Sequence, residues 1–178
     1  MIKLFIEPGY NVKAPARDFG NAGIDFFVPE YNKVFEDAFN LKNVNTGAEL
    51  NFVKNQIVVK PHSDVNIPTG IRSRISANVA LEAQNKSGVA MKYKLVYGAA
   101  TVDANYQGII HAHLINTSDK EVIIPLGAKI VQFIPRFIDV SPIEVFSTID
   151  SVIGSDMEVI SICRNGVSFW NVVVSFIF

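Results

Sequence analysis

An all-β domain is the fold class this sequence predicts. The apolar runs are short and are cut by Gly, Pro, Asn and Asp turns at intervals of roughly 8–12 residues. Only one stretch carries helical spacing, and no internal repeat is present. Short strands joined by turns bury their apolar faces against one another, so the pattern predicts packed antiparallel sheets.

Ile2, Leu4 and Ile6 alternate with Lys3 and Phe5, a first strand that Pro8 and Gly9 stop. Residues 11–20 are polar, contain Pro15 and read as loop. Residues 21–29, N-A-G-I-D-F-F-V-P, bring small residues and Asp25 to the start of an apolar strand, where an Asp is ordinarily a turn cap. Residues 30–54 change character. Val34, Phe35, Ala38, Phe39 and Leu41 stand at near-helical spacing and Thr46-Gly47 marks a turn, so the block reads as an insertion with at most one short amphipathic helix. From Gln56 the β pattern returns, with a strand over Gln56–Lys60 and two further runs hinged at Thr69-Gly70. Arg72 and Arg74 share one face of the second run and Ile71, Ser73 and Ile75 the other, so the arginines read as a solvated face.

Asn85-Lys86-Ser87-Gly88 sets a cation, a hydroxyl and a permissive glycine in consecutive places. That combination suits a phosphate, although the spacing of a Walker loop is missing and a solvated turn has the same composition. Gly98 to Gly108, G-A-A-T-V-D-A-N-Y-Q-G, reads as a β-hairpin with one carboxylate, Asp103, and a flat ring, Tyr106, near its tip. A general base beside a stacking platform is the chemical reading, and a turn with a capping Asp is the plain one. Residues 108–117 form the strand leaving the hairpin, with His111 and His113 on one face. A metal pair there lacks a third ligand at motif spacing. Strands follow at Glu121–Pro125 and over 127–135, where Gln132 is the only neutral polar side chain in an apolar run.

The chain has 178 residues, 49% of them hydrophobic, a net charge of −1 and one cysteine, Cys163. It can bury a core, lacks the basic surface of a non-specific nucleic-acid binder, and cannot build a disulfide framework. Neither a signal peptide nor a membrane span is expected, and a reducing, cytoplasmic setting is compatible with these features.

In order, N-A-G-I-D, I-P-T-G-I, N-K-S-G-V-A-M-K, T-V-D-A-N-Y-Q-G and G-A-K-I-V-Q-F-I-P make a set that resembles the trimeric dUTPase family over residues 1–146, outside the 30–54 insertion. The resemblance implies a jelly-roll-like (β-clip) fold over 1–148 and a homotrimer that, with Mg²⁺, turns dUTP and water into dUMP and diphosphate. That reaction limits uracil in DNA and supplies dUMP for dTMP synthesis, in the cytoplasm, or the host cytoplasm if the source is viral. It also implies roles. Asp103 activates water, and Tyr106 packs under the deoxyribose and leaves no room for a 2′-hydroxyl. The backbone around Tyr97, Thr101 and Val102 reads the uracil edge. Lys86, Ser87 and Gly88 hold phosphate oxygens. Gln132 and Asp25 order phosphates and the waters of Mg²⁺.

The sequence departs from that pattern at several points. Lys86 replaces an arginine, Asn85 a proline and Asn105 a second aspartate, and Ile109 stands where a polar residue is frequent. Residues 149–178 lack the glycine-rich arm of the family, with Arg164 and Gly166 as faint echoes, and the last twelve residues are uncharged. Two rival functions keep the fold: a dCTP deaminase, which needs a glutamate near the hairpin, and a nucleotide- or protein-binding module with little turnover.

Overall fold

The computed structural model describes residues 1–143 and 145, and the backbone of 162–164 and 167–169. The chain divides into two compact units, Met1–Val140 and Ser141–Phe178. The domain boundary expected near residue 148, and the side chains of the tail, lie outside the described residues.

In the first unit, strands β1 (Ile2–Ile6) and β2 (Ile24–Phe27) precede helix α1 (Lys33–Lys42). Strands β3 (Ala48–Asn51), β4 (Gln56–Val59), β5 (Asp64–Pro68), β6 (Ile71–Ile75) and β7 (Val79–Gln84) lead to helix α2 (Ser87–Tyr93). Then follow β8 (Leu95–Tyr97), β9 (Thr101–Val102), β10 (His111–Asn116), β11 (Val122–Pro125) and β12 (Lys129–Phe137). They form antiparallel sheets in the orders β1-β6, β5-β10-β8, β11-β4-β3 and β2-β12-β7-β9. In the second unit, β13 (Ile162–Arg164) pairs antiparallel with β14 (Val167–Phe169). Among the described residues no helix is long and apolar enough to cross a membrane.

Alternation drives the packing. On β10, Ala112, Leu114 and Asn116 are buried while His111, His113 and Ile115 are only partly covered. The inward side chains meet in one core, where Phe26, Ile67, Leu81, Leu114 and Phe133 are almost fully excluded from water. The Phe26 and Phe133 rings lie 4.8 Å apart. The hinge at Thr69-Gly70 needs its glycine: Gly70 has φ +70°, and a Cβ there would lie 2.5 Å from the Tyr10 ring.

The helix of the 30–54 block forms as its spacing predicts, with a narrower apolar stripe. Phe35 and Phe39 are buried, whereas Val34 and Leu41 remain 45% and 74% exposed. Asn32 caps the start, its Oδ1 accepting from the Phe35 N–H at 2.9 Å. Asn43 at the other end joins the helix to β5. Its Nδ2 donates to the Phe39 carbonyl at 2.8 Å and the Asn66 carbonyl at 2.9 Å, and its Oδ1 accepts from the Asn66 N–H at 2.8 Å. The block is thus fastened to the core, and its β3 extends the sheet through β4. Helix α2 goes beyond the single short helix the sequence predicts. It buries only Val89, so periodicity gives it almost no signal.

Candidate active site

The Gly98–Gly108 stretch is not the simple hairpin its sequence predicts. β8 and β10 do pair, with Tyr97 opposite Leu114, and the Gly98 N–H donates to the His113 carbonyl at 3.0 Å. Between them Thr101 and Val102 leave for the other sheet and pair with Glu82 and Leu81 of β7. A connection that straddles two sheets opens a gap. The resulting pocket, of about 180 Å³, is lined by Ala99, Ala100, Thr101, Val102, Tyr106 and Phe133 among others.

Asp103 leaves β9 and opens a turn in which the Tyr106 N–H donates to the Asp103 carbonyl at 3.1 Å. The Asp103 side chain is exposed and, among the described residues, makes no hydrogen bond or ion pair. Tyr106 is 38% exposed and its hydroxyl donates to the Ile109 carbonyl at 2.9 Å. Gly108 makes room for this: a Cβ there would lie 2.4 Å from the Tyr106 hydroxyl. The Tyr106 ring thus lines the apolar pocket, three residues on from a carboxylate that has no partner among the described residues. The Tyr97 amide is committed, donating to Asn85 Oδ1 at 2.8 Å. Among the described residues the Tyr97 hydroxyl has no partner, and burial pushes its pKa well above the usual tyrosine range.

A second cluster lies on β2 and β12. Asp25, 8% exposed, faces Gln132 in the ladder. Its Oδ1 takes the Lys86 ammonium at 2.5 Å and its Oδ2 the Lys129 ammonium at 2.7 Å. Burial pushes the Asp25 carboxyl up, but Lys129 and Lys86 outweigh it and leave its pKa below the usual value. Gln132 lies across Gly23, where a Cβ would come within 2.6 Å of its Oε1. Ser87 and Gly88, in the first turn of α2, are exposed, and a Cβ on Gly88 would meet nothing within 4 Å. A carboxylate whose folded pKa is depressed stabilises the fold above its unfolded value of 3.8, and that contribution disappears as pH falls through the folded value. Asp25→Asn is therefore expected to destabilise the protein more at pH 7 than at about pH 3. Urea unfolding at both pH values checks it, and an equal deficit at both contradicts the linkage.

Asp25, Lys86 and Gln132 thus come together, and so do Thr101, Val102, Asp103 and Tyr106. Gln132 links the two groups, since the next residue on β12, Phe133, lines the pocket. The sheet order β2-β12-β7-β9 puts β2 and β9 on opposite edges, three strand spacings or roughly 14 Å apart.

Three framework residues escaped the sequence reading. Arg72, expected on a solvated face, is bonded through Nε and Nη2 to the two carboxylate oxygens of Glu7 and through Nη1 to the Gln107 carbonyl. Asn85 fastens the start of α2 to β8 through the Tyr97 amide. His113 accepts the Ala99 N–H at Nδ1, 3.0 Å, and its Nε2 lies 2.9 Å from Asp64 Oδ2. His111 has its pKa lowered by burial and by repulsion from Lys42. Among the described residues no group of three His, Cys, Asp or Glu side chains could hold a metal ion. Strand alternation alone shows which face these residues share and hides what crosses to meet them.

Short strands in small antiparallel sheets around one core, with two short helices among the described residues, make this a protein of the β-clip class. A dUTPase family model matches residues 45–156, and the chain belongs to the dUTPase family. It is 34% identical over 107 residues to a deoxyuridine 5'-triphosphate nucleotidohydrolase of Hydrogenobaculum sp., covering 57% of this chain and 74% of that one. A protein of the same description from Finegoldia magna is 28% identical over 109 residues, covering 60% and 71%. Among solved structures, a dUTPase from phage phi11 of S. aureus superposes with a TM-score of 0.62 at 18% identity, covering 84% of this chain and 99% of that one. The EIAV dUTPase gives a TM-score of 0.58 at 17% identity, covering 83% and 97%. At such identities these two structures speak for the fold.

Proposed function

We propose that this protein hydrolyses dUTP to dUMP and diphosphate. The observation that carries the reading is the exposed Asp103 carboxylate, without a partner among the described residues, on the turn between Val102 and Tyr106, which both line the small pocket. Asp103 takes a proton from a water. The water oxygen bonds to the α-phosphorus, the bond from that phosphorus to the bridging oxygen breaks, and diphosphate leaves with the electron pair. The base enters the apolar pocket and meets the backbone of residues 97–102, while Tyr106 lies under the sugar. Lys86, Ser87, Gly88 and Gln132 receive phosphate oxygens.

The homotrimer of this reading, with each site shared between subunits, rests on membership of the dUTPase family. The phage phi11 neighbour is described as coordinating a structural Mg(II) ion. Here both Asp25 oxygens hold lysine ammoniums, so Asp25 does not fit as a direct metal ligand, and a water-bridged role requires a lysine to leave it. Mg²⁺ fits this chain as part of the substrate, the magnesium complex of the triphosphate.

Diphosphate release from dUTP, UTP, dTTP and dCTP, with ammonia measured for dCTP, tests the proposal. The expected result is turnover of dUTP, with UTP disfavoured by about 10²-fold and no ammonia. Tight dUTP binding with no diphosphate selects the binding module, and ammonia from dCTP selects the deaminase.

A further inference from the structure

Resting on the dUTP reading above, we infer that Arg72, steadied by Glu7, is a positioning residue that sets the height of the Tyr106 ring and thereby selects deoxyribose over ribose. The loop carrying Tyr106 is bound to β6 at two points. The Ile110 N–H donates to the Ile71 carbonyl at 2.7 Å, and the next residue on the strand, Arg72, donates from Nη1 to the Gln107 carbonyl. The same guanidinium is held from the other side by both oxygens of Glu7, with Nη2 to Oε1 at 3.0 Å. A guanidinium gripped in this fork cannot rotate freely, so the Gln107 carbonyl is fixed in space. The Glu7 carboxyl is held below its usual pKa by this bond, burial opposing, so the pair is ionised at neutral pH.

Packing does not replace this tether. Behind Tyr106 lies a second pocket of about 230 Å³, lined by Tyr10, Leu41, Lys42, Arg72, Tyr106 and His111. Tyr106 and His111 also line the base pocket, so they divide one from the other. A ring with open space behind it keeps its position through polar tethers: its own hydroxyl on Ile109 and the Arg72 bond on Gln107. Discrimination against a 2′-hydroxyl is a matter of ångströms, so a ring free to sink into the rear pocket makes room for ribose. The Arg72 and Glu7 side chains are 42% and 26% exposed. Such a pair adds little to global stability, which separates a positioning role from a structural one.

The test compares the wild type with Arg72→Met, Arg72→Lys and Glu7→Gln as full chains. For Arg72→Met the ratio of kcat/KM for dUTP to that for UTP is expected to fall by about tenfold or more, mainly through improved use of UTP. Its Tm should fall by no more than about 4 °C. Arg72→Lys keeps one charged donor and should recover part of the ratio, and Glu7→Gln should lie between. An unchanged ratio in Arg72→Met overturns the inference, as does a loss of both activities in proportion. A wild type that does not turn over dUTP removes the hydrolytic reading instead. In that event hydrogen exchange of the Tyr106 amide in nucleotide-free protein reads the tether. Exchange faster by about tenfold in Arg72→Met retains Arg72 as the anchor of the loop, and unchanged exchange removes it.

Discussion

Asp103→Asn is expected to abolish diphosphate release from dUTP while leaving nucleotide affinity within about tenfold, or roughly 1.4 kcal/mol. The Asp103 carboxylate is exposed and has no partner among the described residues, so the amide costs the fold no ion pair and no hydrogen bond. The turn that follows is closed by the backbone, through the Tyr106 N–H and the Asp103 carbonyl, and survives the substitution. What is lost is the ability to accept a proton from water. General-base assistance is commonly worth about 10²–10⁴-fold, and the defect should appear in kcat rather than in binding. A variant that retains more than about a tenth of the rate removes Asp103 from the base role. Isothermal titration with a non-hydrolysable dUTP analogue, beside the rate measurement, separates a failed base from a failed pocket.

The parts of this molecule that were readable from sequence depend on local chemistry. Alternation in Ile71–Ile75 gave the buried face of β6, the Phe35 and Phe39 spacing gave α1, and Thr69-Gly70 gave the hinge. The motifs identified the family because their order along the chain is itself information. What stayed hidden is non-local. Arg72 looks like any outward strand residue until Glu7, 65 positions away, and Gln107, 35 positions away, are brought to it. The departure of Thr101 and Val102 to β7 could not be foreseen from the glycines that bracket them, since strand exchange is decided by which sheet needs an edge. Helix α2 lay below the threshold of periodicity because it buries a single side chain. Lys86 was legible as a cation near phosphate chemistry, yet its pairing with Asp25, 61 positions away, is a fact of tertiary structure.

Phe133→Ala should lower stability by about 3–5 kcal/mol and raise KM for dUTP, whereas Phe26→Ala should impose a similar stability loss with little change in KM. Both rings are buried, Phe133 to 1% and Phe26 to 0% exposure, and they pack against each other at 4.8 Å. Removing either leaves a void that the close-packed core cannot close without moving strands. Only Phe133 also forms a wall of the base pocket. It is the ring against which Tyr97 rests edge-on at 6.3 Å. Its removal joins the void to the pocket, frees the Tyr97 ring, and leaves the base with a wider, less complementary cavity. For a chain of this size a loss of that magnitude corresponds to a Tm decrease of about 6–20 °C, so kinetics belong well below the melting range. Urea unfolding gives the first quantity and initial rates at low temperature give the second. If the Ala variant is too unstable to assay, Phe133→Leu keeps most of the volume and should show a smaller KM effect in the same direction. Equal KM values for the Phe133 and Phe26 variants would detach the pocket between β8, β9 and β10 from base recognition.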